Sequence, residues 1–145
     1  MSLFKVRYPI RFGDCDAAGI VFYPRYFEMI NNTVEDWFAG PLAHSFKRLH
    51  LEDLTSIPTV RFEVDFVNVS RLEDQLDFSL MVDRLGTSSC RLRIQAHCHG
   101  ELRIDVRQTI VFVDMRTMAP APWPDDLRAK MEPYMLIGAE GRDGA

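Results

Sequence analysis

The chain has 145 residues, of which 47% are hydrophobic, and a formal net charge of −4. This length fits one domain with a substantial buried core and argues against a mostly disordered protein. The acidic balance, without any basic run, argues against nucleic acid as a partner.

The three cysteines, Cys15, Cys90 and Cys98, show no regular spacing. We therefore expect reduced thiols in a cytoplasmic protein rather than a disulfide framework. The N-terminal sequence lacks the apolar core of a signal peptide. No stretch approaches the ~18 consecutive apolar residues of a membrane span, so we expect no membrane partner.

The first third of the chain predicts a strand followed by a long helix. Residues 4–12 alternate as in a strand, and Pro9 indicates an edge position or a bend. After a loop over 14–23, Pro24 suits the first turn of a helix, which Gly40 and Pro41 end. Apolar residues at steps of three and four form the helix stripe: Tyr26, Phe27, Ile30, Val34, Trp37 and Phe38.

The rest of the chain predicts four long strands. Residues 42–54 indicate a short second helix or a structured connection. Residues 59–66 alternate strictly, which predicts a strand that buries Val60, Phe62, Val64 and Phe66. Two further strands end at Gly86 and at His99–Gly100, a predicted hairpin turn, and a fourth covers 101–113.

This order of elements predicts an α+β fold in which a curved antiparallel sheet wraps one long central helix. We expect a single domain over residues 1–145. Its core covers about 5–114, and a Pro-rich C-terminal extension covers 115–145. The extension has one short helix at 125–131 and a loose end, GAEGRDGA.

The stretch GDCDAAGIVFYPRY, Gly13 to Tyr26, places two aspartates and a glycine turn directly before the helix. With the order of elements, it resembles the hot-dog fold thioesterases, and within them the 4-hydroxybenzoyl-CoA thioesterase group. The motif is complete except that Ala17 stands where proline is common. A second, weaker likeness is RLGTSSCRLR, Arg84 to Arg93, and the resemblance covers about residues 5–114.

The resemblance implies an acyl-CoA thioesterase whose catalytic carboxylate is Asp16. It also implies an oxyanion donor at the backbone N–H of Tyr23, where a helix N-terminus offers unpaired N–H groups and partial positive charge. Gly19 would allow close approach of the ligand. Asp16 can act as nucleophile or as general base, and the sequence leaves both open.

Simpler interpretations exist for the same stretch. Asp16 alone suits a turn or cap. Asp14 is expected to hold the loop by hydrogen bonds, and Cys15 to be a packed thiol, since no histidine lies near it in the sequence.

The acyl pocket is expected along the helix and at the start of the strand that follows Pro58. Candidates that contact the acyl group are Phe22, Tyr26, Phe27, Ile30, Asn31, Pro58, Thr59 and Val60. Asn31 is an amide where the hydroxybenzoyl member has a carboxylate. We therefore expect a small acyl group, either aromatic (benzoyl or hydroxybenzoyl) or short and aliphatic, carried by CoA or by acyl carrier protein.

The second motif predicts the CoA side of the site, with arginines for phosphate and hydroxyls for the pantetheine amides. Its candidates are Arg84, Thr87, Ser88, Ser89 and Arg91. Hot-dog sites usually lie between subunits, so the resemblance implies a homodimer or homotetramer.

Other functions fit the sequence less well. His97, Cys98 and His99 offer two ligands on one strand face, too few for structural zinc, so we expect no metal and no cofactor. A hot-dog dehydratase needs a histidine near the central helix, and none lies between Met1 and Ala43. A catalytically weak acyl-CoA-binding or scaffold protein remains the alternative from another class.

Overall fold

The structure, a computed structural model, describes residues 2–135. Its strands and helices, in chain order, are β1 (Phe4–Pro9), α1 (Pro24–Ala39), β2 (Thr55–Ser56), β3 (Thr59–Phe66), β4 (Gln75–Leu85), β5 (Ser89–Cys98), β6 (Glu101–Val111), β7 (Val113–Asp114), β8 (Ala119–Pro120) and α2 (Asp125–Met131). Two 3-10 turns, Phe12–Asp14 and Glu132–Tyr134, and a π-helical segment, Lys47–Glu52, complete the set. The π-helical segment occupies the region for which the sequence left a helix or a connection open.

Five strands form one antiparallel sheet in the order β1-β4-β5-β6-β3. Strands β4, β5 and β6 are neighbours in both chain and sheet, and His99 and Gly100 turn the β5–β6 hairpin with φ of 50° and 79°. Strand β3 instead crosses to the far edge and pairs with β6, from Thr59 opposite Ile110 to Phe66 opposite Ile104. Strands β2, β7 and β8 form a small separate sheet.

Helix α1 packs on the inner face of the large sheet, as predicted. Pro24 is its first residue and Gly40 caps its end. Ile30, Val34, Trp37 and Phe38 of the stripe are at most 3% exposed. They meet the inward residues of β4, β5 and β6 in one continuous core, and the α+β fold with a sheet around a long helix is confirmed.

The prediction that β3 buries one apolar face is wrong for the chain on its own. Val60 is 62% exposed and Phe66 is 50% exposed. The strand lies at the sheet edge, and α1 reaches it through ring contacts such as that of Phe27 with Phe62, whose centroids are 5.4 Å apart. The alternation correctly predicts a strand, but the helix covers its apolar face only in part.

The C-terminal extension packs against the core through residue 135. Trp123, Leu127 and Met131 are at most 3% exposed, so α2 is an integral layer of the fold. The GAEGRDGA end, predicted to be loose, lies outside the described residues. The three cysteines are free thiols. Within residues 2–135, no helix combines the length and apolarity that crossing a bilayer requires.

Candidate active site

The loop between β1 and α1 folds back on itself as a small hairpin. Cys15 bridges Val21, Asp16 N–H donates to the Ile20 carbonyl at 3.0 Å, and Phe22 N–H donates to the Asp14 carbonyl at 2.9 Å. Gly19 sits at the tip with φ of 77°, a conformation that favours glycine. A Cβ there would meet no atom within 4 Å, so the backbone conformation rather than crowding explains this glycine.

Asp16 is both a turn former and an exposed carboxylate. Its Oδ1 accepts the Ala18 N–H at 2.9 Å, and its carbonyl accepts the Gly19 N–H at 3.0 Å. Within residues 2–135, Oδ2 has no hydrogen-bond partner and remains available. The Asp16 side chain is exposed to solvent, so a single chain does not surround this carboxylate with apolar groups.

The two residues before Asp16 behave as the sequence predicts. Asp14 Oδ2 accepts the Arg11 N–H at 2.8 Å, which confirms its structural role in the loop. Cys15 is half-buried, and burial together with the charges of Asp14 and Asp16 raises the pKa of its thiol. A raised pKa disfavours the thiolate, so Cys15 is a poor nucleophile here.

The start of α1 presents an unpaired backbone donor. The Phe22 N–H is used by Asp14, and Pro24 has no N–H. The Tyr23 N–H between them makes no hydrogen bond within residues 2–135, at the positive end of a 16-residue helix. The geometry therefore offers one oriented N–H to an oxygen next to the Asp16 hairpin.

A small apolar cavity of about 190 Å³ adjoins this helix start. Its walls include Tyr23, Tyr26, Phe66, Val69 and Ser70. Tyr26 is buried, and its burial raises the pKa of the phenol. Phe22 lies at the rim and is 49% exposed. Phe66 and Val67 are also exposed, so apolar side chains surround the mouth of this cavity.

The hairpin of Asp16 rests on the β3–β4 loop, residues 67–74. Val21 N–H donates to the Ser70 carbonyl at 2.9 Å. Arg103 holds that loop from β6, because its Nη1 donates to Asp74 Oδ2 at 2.7 Å and to the Val69 carbonyl at 3.0 Å. Arg103 therefore supports Asp16 indirectly, and its burial at the register shift of β6, between Leu102 and Ile104, was not predicted.

A second cavity, of about 290 Å³, lies between α1 and the start of β3. It contains the predicted Asn31 and Thr59, and it adds Gln108 and His50, which the sequence reasoning missed. The remaining walls are mainly apolar: Val34, Phe46, Ile57, Pro58 and Ile110. Gln108 occupies an inward position of β6 between Val106 and Ile110. A polar residue among alternating apolar ones could have indicated from the sequence that this position lines a site.

The β4–β5 hairpin carries the predicted CoA residues and is held by the C-terminal segment. Trp123 Nε1–H donates to the Ser89 carbonyl at 3.0 Å, and Arg128 Nη1 donates to the Gly86 carbonyl at 2.8 Å. The Thr87 and Ser88 carbonyls accept N–H groups of Trp123 and Phe112. Their hydroxyls make no hydrogen bonds within residues 2–135.

The two arginines of this hairpin face each other across the strands. Arg84 pairs in register with Arg91, and Arg91 Nη1 lies 3.9 Å from Asp83 Oδ2. Arg84 is exposed. The hairpin thus presents two guanidinium groups, one of them partly neutralised. Trp123 and Arg128, which position it, lie in a Pro-rich stretch without a recognisable motif.

The predicted site residues fall at two opposite ends of the sheet. We call the end with Asp16, Tyr23 and the α1 start the carboxylate end; β4 begins there, beside Pro9. The hairpin end holds Thr59 and the β4–β5 hairpin. Gln108 is in register with Phe62 and Leu92 and lies between the two ends. Strand β4 separates the ends by its 11 residues, or roughly 35 Å at about 3.3 Å per residue. A single chain does not bring the catalytic and CoA residues together.

Comparison with known proteins places the chain in a family. The model of the thioesterase-like superfamily matches residues 10–131. The chain is 27% identical over 133 residues to a 1,4-dihydroxy-2-naphthoyl-CoA hydrolase of Synechococcus elongatus, a match that covers 88% of this chain and 94% of that protein.

Solved structures agree with this assignment. A thioesterase-superfamily protein from Jannaschia superposes with a TM-score of 0.85 and 27% identity, over 93% of this chain and 94% of its own. A 1,4-dihydroxy-2-naphthoyl-CoA thioesterase from Synechocystis, at 17% identity, shares the fold with a TM-score of 0.79, over 90% of this chain and 96% of its own. The chain therefore belongs to the thioesterase-like superfamily and is a thioester hydrolase.

Proposed function

We propose that the protein hydrolyses a small aromatic acyl-CoA to the free acid and CoA, with Asp16 and the Tyr23 N–H as its reacting groups. The observation that carries this proposal is the pairing of an unsatisfied Oδ2 on Asp16 with an unpaired N–H at the adjacent start of α1. The naphthoyl-CoA relative supports an aromatic acyl group.

The Tyr23 N–H would receive the thioester oxygen. Negative charge develops on that oxygen when the carbonyl carbon becomes tetrahedral, and a donor of this kind contributes about 3 kcal/mol to its stabilisation. The α1 dipole acts in the same direction, because the oxygen lies at its positive end.

Asp16 would then act in one of two ways. As a general base, Oδ2 takes a proton from water while the water oxygen attacks the carbonyl carbon, and the C–S bond breaks to release CoA. As a nucleophile, Oδ2 attacks the carbon itself, CoA leaves as the thiolate, and water hydrolyses the mixed anhydride. Both routes need the same Oδ2 and the same oxyanion donor.

The site is completed by a second copy of the chain. Within residues 2–135, the outer edge of β3 pairs with no strand, and its apolar side chains are exposed. Antiparallel pairing of two β3 edges about a two-fold axis sets Thr59 of one chain against the Phe66 end of the other. The Phe66 ring lies 6.2 Å from that of Tyr23, so the partner's hairpin end meets this chain's carboxylate end.

The dimer would also shield Asp16 from water, which the single chain does not do. Asp16 is exposed in one chain, and a carboxylate becomes a stronger base and nucleophile when its water is removed. An acyl ring and the partner's β3 would cover it. We propose a homodimer as the active form; association into a tetramer stays a prediction.

The test is thiol release from benzoyl-CoA and hydroxybenzoyl-CoA by the wild-type protein and by Asp16→Asn. The substitution keeps an oxygen for the Ala18 N–H but removes the base, so we expect kcat to fall by roughly 10²- to 10⁴-fold. Asp14→Asn is the matched control, because an amide oxygen can still accept the Arg11 N–H. Equal activity of Asp16→Asn and the wild type would remove Asp16 from the mechanism.

A further inference from the structure

We propose that Arg103 is a positioning residue for the hydrolysis: it acts through the β3–β4 loop and fixes Asp16 relative to the start of α1. The inference rests on the proposed function and deepens it, because it names the side chain that keeps the two reacting groups aligned. Within the described part of the chain, Arg103 makes no hydrogen bond with Asp16 or Tyr23, so its effect on the reaction passes through the loop.

A β-bulge in β6 lets the Arg103 side chain reach this loop. Arg103 and Ile104 are successive residues and both are buried, although successive side chains of a regular strand point to opposite faces. The register between β5 and β6 shifts here, because Ala96 pairs with Ile104 whereas His97 pairs with Leu102. Arg103 is therefore the extra residue, and a bulge of this kind changes the direction in which a side chain points.

The Arg103 guanidinium binds three acceptors of the loop. Its Nη1 donates to Asp74 Oδ2 at 2.7 Å, to the Val69 carbonyl at 3.0 Å and to the Ser70 hydroxyl at 3.2 Å. Its Nε lies 2.8 Å from Glu101 Oε1. Arg103 is only 9% exposed, and a buried cation that loses its partners is strongly destabilising. The loop is therefore held in one conformation for as long as the guanidinium is present.

The loop residue Ser70, which Arg103 binds, connects the two parts of the site. Its carbonyl accepts the Val21 N–H at 2.9 Å, on the second arm of the Asp16 hairpin. Burial raises the pKa of the Tyr26 phenol in the first turn of α1, and hydrogen bonds from Ser70 oppose that shift. Ser70 therefore joins the hairpin to α1, and fixing Ser70 fixes the distance between the two reacting groups.

Hydrolysis depends on this distance, because the carboxylate and the oxyanion donor act on the same carbonyl group. A misplacement of about 1 Å can cost roughly 100-fold in rate, even when the altered residue is far from the chemistry. We therefore expect Arg103→Met to lower kcat by roughly 10- to 100-fold. KM should change less than kcat, since the predicted CoA residues lie at the hairpin end.

The experiment is a double-mutant cycle on kcat, with Arg103→Met, Asp16→Asn and the two substitutions together. The substrate is the better one of benzoyl-CoA and hydroxybenzoyl-CoA. Arg103→Met should lower kcat in the wild-type background and leave it nearly unchanged in Asp16→Asn, where no base remains to be misplaced. A purely structural role would lower kcat by the same factor in both backgrounds.

Arg93→Met is the matched control. Arg93 makes an equally short ion pair in the same sheet, with two hydrogen bonds of 2.8 Å to Asp105, and the substitution removes the same charge. Its kcat should equal that of the wild type. If Arg103→Met does not fold, Arg103→Lys takes its place in the cycle. A lysine can pair with Asp74, but it lacks the planar fork of donors, so a smaller loss of kcat is expected.

Three outcomes overturn the inference and leave the proposed function intact. They are a folded Arg103 variant with the kcat of the wild type, an equal loss of kcat in the two backgrounds, and a loss in Arg93→Met as large as that in the Arg103 variant. Wild-type activity of Asp16→Asn overturns the proposed function as well.

Discussion

The carboxylate end and the hairpin end of the sheet are built in different ways. At the carboxylate end, backbone hydrogen bonds shape the loop, and the groups proposed to react, Asp16 Oδ2 and the Tyr23 N–H, stay unpaired. At the hairpin end, side chains from the C-terminal segment, Trp123 and Arg128, bind the backbone carbonyls of the β4–β5 hairpin. At the carboxylate end the unpaired groups are those proposed to react, whereas at the hairpin end the unpaired Thr87 and Ser88 hydroxyls lie on a backbone that side chains hold in place.

This difference suggests a division of labour between two chains. Attack on a thioester needs reacting groups that have no hydrogen-bond partner within the protein, and recognition of CoA needs a binding surface of fixed shape. Because the β4–β5 hairpin lies roughly 35 Å along β4 from the carboxylate end, the CoA of a substrate bound at Asp16 would reach the hairpin of the partner more readily than that of the same chain. A two-fold pairing of β3 edges would use the carboxylate end of each chain with the hairpin end of the other.

The strongest test of this division is complementation between two inactive variants. Asp16→Asn disables the carboxylate end, and Thr59→Trp fills the 290 Å³ cavity of the hairpin end. Each homodimer should lose most activity. In the heterodimer, one site combines the intact Asp16 of one chain with the intact Thr59 of the other, so about half of the wild-type kcat should return. Differently tagged chains, co-expressed and purified in tandem, allow the measurement.

A heterodimer as inactive as both parents would place the whole site within one chain. Mixing the purified homodimers without exchange of subunits is the control, because no intact site can form there. A monomeric wild type in solution would contradict the two-fold arrangement directly.

A smaller effect is expected when the hairpin end is loosened. Arg128→Met removes the donors to the Gly86 and Leu85 carbonyls but keeps the apolar stem. We expect the free energy of unfolding to fall by about 1 kcal/mol, since a half-buried carbonyl loses a charged partner. KM for acyl-CoA should rise more than kcat falls, because Arg128 holds the hairpin and does not touch the reacting atoms.

Lys130→Met is the matched control for this prediction. Lys130 is an exposed cation on the same helix and makes no ion pair within residues 2–135. Denaturant unfolding and steady-state kinetics of both variants separate the loss of the Arg128 hydrogen bonds to the hairpin from the loss of a positive charge. If the two variants behave alike, Arg128 does not position the hairpin.

Local features of the fold could be predicted from the sequence, because short-range physics fixes them. Pro24 and Gly40 bound α1 as the rules for helix ends require, and alternation located β3 to β6. The edge position of β3 could not be predicted in this way. Alternation shows that a strand has two faces, but it does not indicate its neighbours or how far a helix covers it.

In the candidate site, too, the local features could be predicted from the sequence and the long-range contacts could not. The motif around Asp16 predicted a loop with a glycine turn, and the family resemblance implied a donor at the Tyr23 N–H. Both features are local, but the small hairpin that the loop forms was not predicted. The motif did not predict that Asp16 would be exposed, since its surroundings depend on distant residues. Trp123 and Arg128 act over more than 30 residues of chain separation and carry no motif. Gln108 could have been found, because it interrupts an apolar alternation in β6.

The smallest predicted effect concerns the sheet between the two ends. Arg93 and Asp105 join β5 to β6 on the outer face, through two hydrogen bonds of 2.8 Å. The Arg93 guanidinium lowers the pKa of Asp105 below its ordinary value of 3.8. A lowered carboxyl pKa stabilises the folded state well above pH 3.8, and this contribution is lost as the pH falls through the folded-state value.

Asp105→Asn should therefore reduce the free energy of unfolding by about 1 kcal/mol at pH 5 to 7, because the Arg93 guanidinium would face a neutral amide instead of a carboxylate. The difference from the wild type should shrink below pH 3.8, the ordinary value for this carboxyl. Urea unfolding across this range is the measurement, with Glu35→Gln on the exposed face of α1 as the control. Hydrolysis at pH 7 should stay at the wild-type rate, since Asp105 lies at neither end. A fall in kcat without a fall in stability would mean that the outer face of the sheet also affects hydrolysis, so the two ends would not be the only parts of the molecule that determine activity.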